Sequence, residues 1–122
     1  MDIKGSACLV TGGNRGIGEA FVRALLAAGA SKVYVGSRDP ANAAHLEAEA
    51  PGRAIAVELD VTRHDQVEAA ARACGDVSVL VNNAGVFSMT TLLRAPDLAA
   101  ARAEMECNYF GTLAMCRAFA PV

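Results

Sequence analysis

The sequence of 122 residues has no tryptophan, only 5% aromatic residues and no surplus of charge, at a formal net charge of -2. The near balance of charge argues against a protein that binds nucleic acid, because such binding needs a basic surface that displaces counterions from phosphates. No apolar run approaches the roughly 18 residues of a membrane span, and the charged first residues predict no signal peptide. We therefore expect a cytoplasmic protein that contacts neither nucleic acid nor membrane.

Cysteine and histidine are scarce and poorly placed for metal binding. No two cysteines form a C-x-x-C pair, and His45 and His64 are distant from them in sequence. A zinc site needs ligands at short, paired spacing, so we predict no metal site. The two histidines are expected to be exposed helix residues without a catalytic role. The four cysteines are expected to be buried, reduced thiols: Cys8, Cys74, Cys107 and Cys116.

Apolar residues make up 53% of the chain, in short runs that alternate with segments of helical periodicity. The runs predict strands over 7–10, 32–35, 54–59 and 77–81. The periodic segments predict helices over 17–28, 40–50, 62–74 and 98–119. Apolar strands that alternate with amphipathic helices indicate a parallel sheet covered on both faces. We predict one α/β domain of the doubly wound Rossmann type over residues 1–122, with strand order 3-2-1-4.

Local signals predict how the helices begin and which faces they bury. Asp39-Pro40 is typical of an N-cap and a first helical residue, and Thr62-x-x-Asp65 resembles a capping box. Gly29 is expected to end the first helix. The predicted buried stripe of that helix is Ile17, Ala20, Phe21, Ala24, Leu25 and Ala28. For the last helix it is Leu98, Met105, Asn108 or Tyr109, Thr112, Cys116 and Phe119.

The glycine-rich segment from Thr11 to Gly18 lies between the first strand and the first helix. Gly12 can make the tight turn, Gly16 can let backbone N–H groups approach a pyrophosphate, and Gly18 can let the helix pack closely on the sheet. A nucleotide-hydrolysing P-loop is disfavoured, because Glu19-Ala20 stands where that motif needs Lys and Ser or Thr. A glycine-rich turn without a ligand remains the alternative.

Four motifs occur in order along the chain: T-G-x-x-x-G-x-G from Thr11, Asp60-Val61, Asn82-Asn83-Ala84-Gly85, and Asn108. Together they resemble the short-chain dehydrogenase/reductase family over the whole chain. The resemblance implies hydride transfer between a nicotinamide cofactor and a small carbonyl or alcohol substrate, in a homo-oligomer. Asn108 is the implied catalytic residue. The candidate cofactor-binding residues are Gly12, Asn14, Arg15, Gly16, Ile17, Gly18, Ser37, Arg38, Asp60, Val61, Asn83, Ala84 and Gly85.

The end of the second strand favours NADP(H), with NAD(H) as the alternative. Ser37 stands where NAD-specific members of the family have Asp, and it is small and able to donate a hydrogen bond. Arg38 can make a charge-assisted contact to a 2′-phosphate, and Arg15 can add a second positive charge. Alternatively, Arg38 is a solvated cation paired with Asp39.

The resemblance further implies roles for the later motifs, each with a simpler alternative. Asp60 is implied to hydrogen-bond the adenine amine beside the Val61 backbone, or it only caps the strand end. The segment 83–85 is implied to pass along the ribose and diphosphate, or it is only a turn. Asn108 is implied to belong to the catalytic set, or it is a polar residue on a partly buried helix face.

The family's other catalytic groups, a Ser and a Tyr-x-x-x-Lys pair, have no match here. Tyr34 is followed four places later by Arg38 and Tyr109 by Leu113, so the sequence holds no Tyr-x-x-x-Lys. We expect the N-terminal half of an NADP(H)-dependent enzyme, with an incomplete C-terminus and no activity alone. The alternative is a non-catalytic dinucleotide-binding module or sensor subunit.

Overall fold

A computed structural model describes residues 1–91 and 93–121 and contains one parallel sheet of four strands. The strands are β1 (Ala7–Thr11), β2 (Lys32–Ser37), β3 (Ala54–Glu58) and β4 (Val77–Val81). Their order is β3-β2-β1-β4, which confirms the predicted order. In register, Leu9 lies beside Tyr34 on one side and Leu80 on the other. The two central strands are therefore β1 and β2, and β4 lies at one edge.

Helices follow each strand, as the periodicity predicts. They are α1 (Gly16–Ala27), α2 (Ala44–Glu49), α3 (His64–Ala73), α4 (Ala99–Glu104) and α5 (Thr112–Phe119). A 3₁₀ turn over Pro40–Ala43 precedes α2, and a π-helical segment over Met105–Gly111 joins α4 to α5. The predicted second helix is thus partly 3₁₀, and the predicted last helix contains a wider turn in its middle.

Two apolar layers cover the two faces of the sheet, because successive strand residues point to opposite sides. Cys8 and Val10 of β1 pack with residues of α1 and α2, such as Val22 and Leu46. Leu9, between them, packs on the other face with residues of α3 and α5; that layer includes Val67, Met115 and Phe119. The sheet is therefore the middle of three layers.

The predicted helix ends are partly confirmed. Gly29 has φ +90°, and the bonds Gly29 N–H to Leu26 O and Ala30 N–H to Leu25 O close α1 in a Schellman motif. Asp39 caps the 3₁₀ turn by accepting from the Ala41 N–H at 3.0 Å, with Pro40 first in the turn.

The predicted capping box at Thr62 is wrong. The N-cap of α3 is Arg63, and no side chain caps it. The Thr62 hydroxyl and N–H instead donate to the Asp60 carboxylate, at 2.7 and 2.9 Å. This local bond competes with the cap, because it turns the Thr62 side chain back toward the end of β3.

The predicted buried stripe of α1 is also wrong for all but Leu25. Gly18, Val22 and Leu25 face the sheet, whereas Ile17 is 73% exposed and Phe21 is 44% exposed. A Cβ on Gly18 would overlap the carbonyl oxygen of Gly12, so only glycine permits the helix to approach the turn this closely. The glycine therefore fixes the rotation of the helix, although it contributes nothing to a hydrophobic periodicity.

The last helix buries a different face from the predicted one, with only Phe119 in common. The buried residues are Cys107, Gly111, Met115 and Phe119, while Met105 and Tyr109 are half-exposed. A Cβ on Gly111 would lie 2.6 Å from Val61 Cγ2, so a glycine again sets the face. The π-helical segment further shifts the angular positions of the residues on either side of it.

Three of the four cysteines are buried as predicted, but Cys116 is exposed because α5 presents its neighbour Met115 to the core. Burial raises the pKa of the Cys74 thiol to about 11. Within residues 1–91 and 93–121, no helix is both long and apolar enough to span a membrane.

Candidate functional site

The candidate site lies at the edge of the sheet where the carboxyl ends of all four strands meet. β1 ends at Thr11, β2 at Ser37, β3 at Glu58 and β4 at Val81, two residues before Asn83. In open parallel sheets, ligands bind beyond these carboxyl ends, where the chain leaves adjacent strands in opposite directions. Here the chain leaves β1 into α1 on one face and, after β4, reaches α5 on the opposite face, so that point lies between β1 and β4.

The glycines of the turn after β1 serve distinct geometric needs. Gly12 and Gly16 have φ of +62° and +57°, the left-handed region that favours glycine. A Cβ on Gly12 would lie 3.2 Å from Ala84 Cα, so the turn contacts the segment after β4. Gly18 brings α1 against that turn, as described above. These geometries agree with the turn and packing roles that the sequence predicts for Gly12 and Gly18.

Gly16 borders open space at the amino end of α1. A Cβ built there would meet no atom within 4 Å. Arg15, the N-cap residue, is extended and provides no side-chain cap. The first N–H groups of α1 therefore face a region with room for an anion, which is the arrangement that binds phosphates at helix N-termini. The residues present fit a dinucleotide at this position.

At this helix end a carboxylate is held in ion pairs, whereas a cation is left exposed. Glu19, in the first turn, is paired with Arg23, and His45 Nε2 lies 3.3 Å from its second oxygen. The Arg23 contact holds the pKa of Glu19 below its usual range. Arg15 is exposed and takes part in no ion pair within the described parts of the chain. The Ile17 side chain, which the sequence placed in the core, is exposed beside the same opening.

A clamp of hydrogen bonds joins the turn after β1 to the segment after β4. The Thr11 hydroxyl accepts from the backbone N–H groups of Asn83 and Ala84, at 3.0 and 2.9 Å. Asn83 Nδ2 donates to the carbonyl oxygens of Thr11 and Gly12, at 3.0 and 3.1 Å. Both amide protons of Asn83 are thus engaged with the backbone. Thr11 is missing from the predicted site residues. The one signal in the sequence that pointed to it is its position as the first residue of the glycine motif.

At the end of β2, Ser37 is buried and Arg38 is exposed. The Ser37 hydroxyl donates to the Asp39 carbonyl oxygen at 2.8 Å, so its proton is engaged and its oxygen can only accept. This differs from the donor role that the sequence suggested. No ion pair between Arg38 and Asp39 is present within residues 1–91 and 93–121. The Arg38 guanidinium is therefore available to an anionic group.

At the end of β3, Asp60 forms the strand-end cap that the sequence left as an alternative. Its Oδ1 accepts both bonds from Thr62, and its N–H donates to Gln66 Oε1 at 2.7 Å. The Val61 side chain is buried against Gly111. Burial, and then the Asp60 carboxylate, raise the pKa of the nearby Cys107 thiol.

Asn108, in the π-helical segment, pairs with the backbone beyond β4. Its Oδ1 accepts from the Val86 N–H and its Nδ2 donates to the Val86 carbonyl oxygen, both at 2.8 Å. A Cβ on Gly85 would lie 3.3 Å from Asn108 Oδ1, so glycine allows this approach. Asn108 is exposed and uses one donor and one acceptor of its amide on the Val86 backbone, and so it fixes the course of the chain after Gly85.

The sheet order and the glycine turn at its carboxyl edge define an α/β protein of the Rossmann type. Comparison with known sequences and structures is more specific. The family model for short chain dehydrogenases matches residues 6–122. The chain belongs to the short-chain dehydrogenase family.

Individual relatives agree. A probable oxidoreductase of Streptomyces antibioticus is 39% identical over 121 residues, covering 94% of this chain and 40% of the relative. The solved structure of a short chain dehydrogenase from Burkholderia cenocepacia in complex with NADP is 46% identical, with TM-score 0.92, covering 99% of this chain and 49% of that one. A 3-ketoacyl-(acyl-carrier-protein) reductase from Brucella melitensis complexed with NADH is 29% identical, with TM-score 0.88, covering 98% of this chain and 50% of that one. The chain thus spans half, or less, of each of these relatives.

Proposed function

We propose that residues 1–122 form the dinucleotide-binding domain of an NADP(H)-dependent short-chain dehydrogenase/reductase acting on a carbonyl or alcohol. The observation that carries the proposal is the open, uncapped helix end beside Gly16, flanked by the exposed cations Arg15 and Arg38. The NADP-bound relative supports the choice of cofactor. Because the sequence holds no Tyr-x-x-x-Lys, we propose that these 122 residues bind the cofactor without completing the reaction.

The cofactor, when bound, supplies the hydride chemistry through its nicotinamide. The chain's own residues bind and orient it. The first N–H groups of α1 attract the diphosphate, and Arg38, with Arg15 as a second cation, attracts the 2′-phosphate. Asp60 Oδ2 is left for the adenine amine, since Oδ1 is engaged with Thr62. Asn108 holds the Val86 backbone and so shapes the edge of the reaction site.

Replacing Arg38 with Ala tests the 2′-phosphate contact. We expect Arg38→Ala to weaken NADPH binding about tenfold and NADH binding very little, because only NADPH carries a phosphate for a charge-assisted bond. Dissociation constants for both cofactors by fluorescence titration measure this difference. Arg72→Ala is the matched control, since Arg72 is an exposed cation on α3, away from this edge. Equal losses of NADPH and NADH affinity in Arg38→Ala would contradict the assignment.

We also propose that the chain forms a homo-oligomer through its last helix. Tyr109, Phe110 and Leu113 are 56%, 50% and 44% exposed, and together they form an apolar surface of the kind found at interfaces. Phe110→Glu is expected to shift the protein toward monomer in sedimentation velocity, because it places a charge in the centre of this surface. Phe87→Glu, at an exposed residue of the chain beyond β4, is the control. A wild-type protein that sediments only as a monomer contradicts the proposal.

A further inference from the structure

A second contact besides that of Asn108 holds the chain beyond β4. Glu104 lies one helical turn before Asn108. It accepts hydrogen bonds from Ser88, which lies two residues after Val86. Both the N–H and the hydroxyl of Ser88 donate to Glu104 Oε1, each at 2.7 Å. These bonds hold the pKa of Glu104 below its usual range, so the carboxylate is charged and accepts strongly. The helix therefore fixes the segment at two points, one at Val86 and one at Ser88.

The segment needs such support, because little else stabilises it. Phe87 and Met89 are 74% and 84% exposed, so their side chains add almost no packing. Met89 has φ +57°, the only non-glycine residue in the described parts of the chain with a positive φ. A backbone in this region is held by its surroundings rather than by its own preference, and such positions cluster at functional sites. Met89 directly follows Ser88, the residue that is hydrogen-bonded to Glu104.

The topology places this segment on the nicotinamide side of the proposed cofactor site. Ser37, Arg38 and Asp60, at the ends of β2 and β3, are where the proposal puts the adenosine half. The diphosphate lies at the turn after β1. The remaining half of an extended dinucleotide then crosses the end of β4, the strand on the other side of β1. The chain that leaves β4 there is the segment Asn82–Met89.

We propose that Glu104 is a positioning residue for the cofactor. Through Ser88 it fixes the segment Val86–Met89 against the nicotinamide half of the bound dinucleotide. This inference rests on the proposed function, since it presupposes that a nicotinamide cofactor binds at this edge. It goes beyond that function by assigning a role to a carboxylate that belongs to none of the motifs in the sequence.

Two ligands separate the halves of the site: NADPH, and adenosine 2′,5′-bisphosphate, which lacks the nicotinamide. By calorimetry, we expect Glu104→Ala to weaken NADPH binding about tenfold and the bisphosphate less than about twofold, the scale of lost charge-assisted hydrogen bonds. Glu104→Gln is expected to restore most of the NADPH affinity, because its amide oxygen still accepts from Ser88. Glu106→Ala is the matched control, an exposed carboxylate on the same helix that accepts no hydrogen bond within the described residues.

The outcomes are distinguishable from failure of the proposed function. A wild-type protein that binds neither ligand overturns the proposed function and this inference together. If the wild type binds both, equal weakening of both ligands in Glu104→Ala, or unchanged NADPH binding, overturns this inference alone. Amide hydrogen exchange of the unliganded protein gives a second measurement, in which Glu104→Ala should speed exchange at Ser88 and Glu106→Ala should not. Unchanged exchange at Ser88 would also contradict the positioning role.

Discussion

Replacing Gly18 with alanine is expected to destabilise the fold by about 3 kcal/mol, at the upper end for overpacking a tight contact, and to abolish cofactor binding. The added Cβ would overlap the Gly12 carbonyl oxygen and lie 2.5 Å from Asn83 Nδ2. Neither neighbour can yield cheaply, because one is backbone and the other is held by two hydrogen bonds. Helix α1 must therefore move off the turn, and its first N–H groups move with it. Urea denaturation and NADPH titration measure the two effects.

The matched control for this substitution is Gly75→Ala. Gly75 is not in the positive-φ region, and the nearest atom to its Cβ would be 3.9 Å away, so alanine fits there without a clash. We expect little change in the free energy of unfolding and none in cofactor affinity. A Gly18→Ala protein as stable as wild type, with unchanged NADPH affinity, would show that α1 does not depend on this close approach.

Thr11→Val is expected to cost about 3 kcal/mol of folding free energy, because it leaves two N–H groups in a buried site without an acceptor. The valine keeps the shape of the side chain but removes the hydroxyl that accepts from Asn83 and Ala84. Thr11 is 1% exposed, so water has little access to replace it. The segment 83–85 should loosen from the glycine turn, and cofactor affinity should fall with it. The midpoint of urea unfolding and the NADPH dissociation constant report both changes.

Thr11→Ser separates the hydroxyl from the methyl group. Serine keeps the acceptor and loses only one buried methyl, so a loss of roughly 1 kcal/mol is expected, with NADPH affinity retained. If Ser and Val destabilise equally, packing rather than the hydrogen bonds holds the two segments together, and the clamp has been misassigned.

The predicted elements, their order in the sheet and the family followed from local patterns. Short apolar runs and helical periodicity mark β1 to β4 and the helices between them, because burial on both faces leaves a strong signal in the sequence. The Gly29 stop and the Asp39 cap are also local, since each needs only backbone geometry and one side chain. Short-range chemistry of this kind survives folding where no other local bond competes with it, as the Asp60 bond does at Thr62.

The faces of the helices did not follow from the sequence. Apolar periodicity put Ile17 and Phe21 in the core, yet Gly18 and Val22 face the sheet. Gly111 has the same effect on the last helix. In both cases the buried face is determined by a glycine, because the absence of a Cβ allows a neighbouring strand or turn to approach the helix closely. The segment that approaches the glycine is distant in sequence from it in at least one case, so a hydrophobicity scale cannot predict the contact.

The roles of the polar site residues divide in the same way. The motifs identified Asn83, Asp60 and Asn108, but the structure shows much of their hydrogen bonding engaged by the backbone of neighbouring segments. The partners of these residues, such as Thr11 and Val86, could not be paired from the sequence. Ser88 and Glu104 belong to no sequence motif, because their contact forms only where the helix packs beside the chain beyond β4.

By itself, the sequence determined the α/β class, the 3-2-1-4 sheet, the glycine turn with its family, and the absence of a Tyr-x-x-x-Lys pair. These depend on residue types and short spacings. Only the tertiary structure decided which helix faces are buried, which amides clamp the turn, and which carboxylate holds the chain after β4. Those depend on distances between residues as much as 73 positions apart, such as Thr11 and Ala84, which packing fixes and local propensity does not.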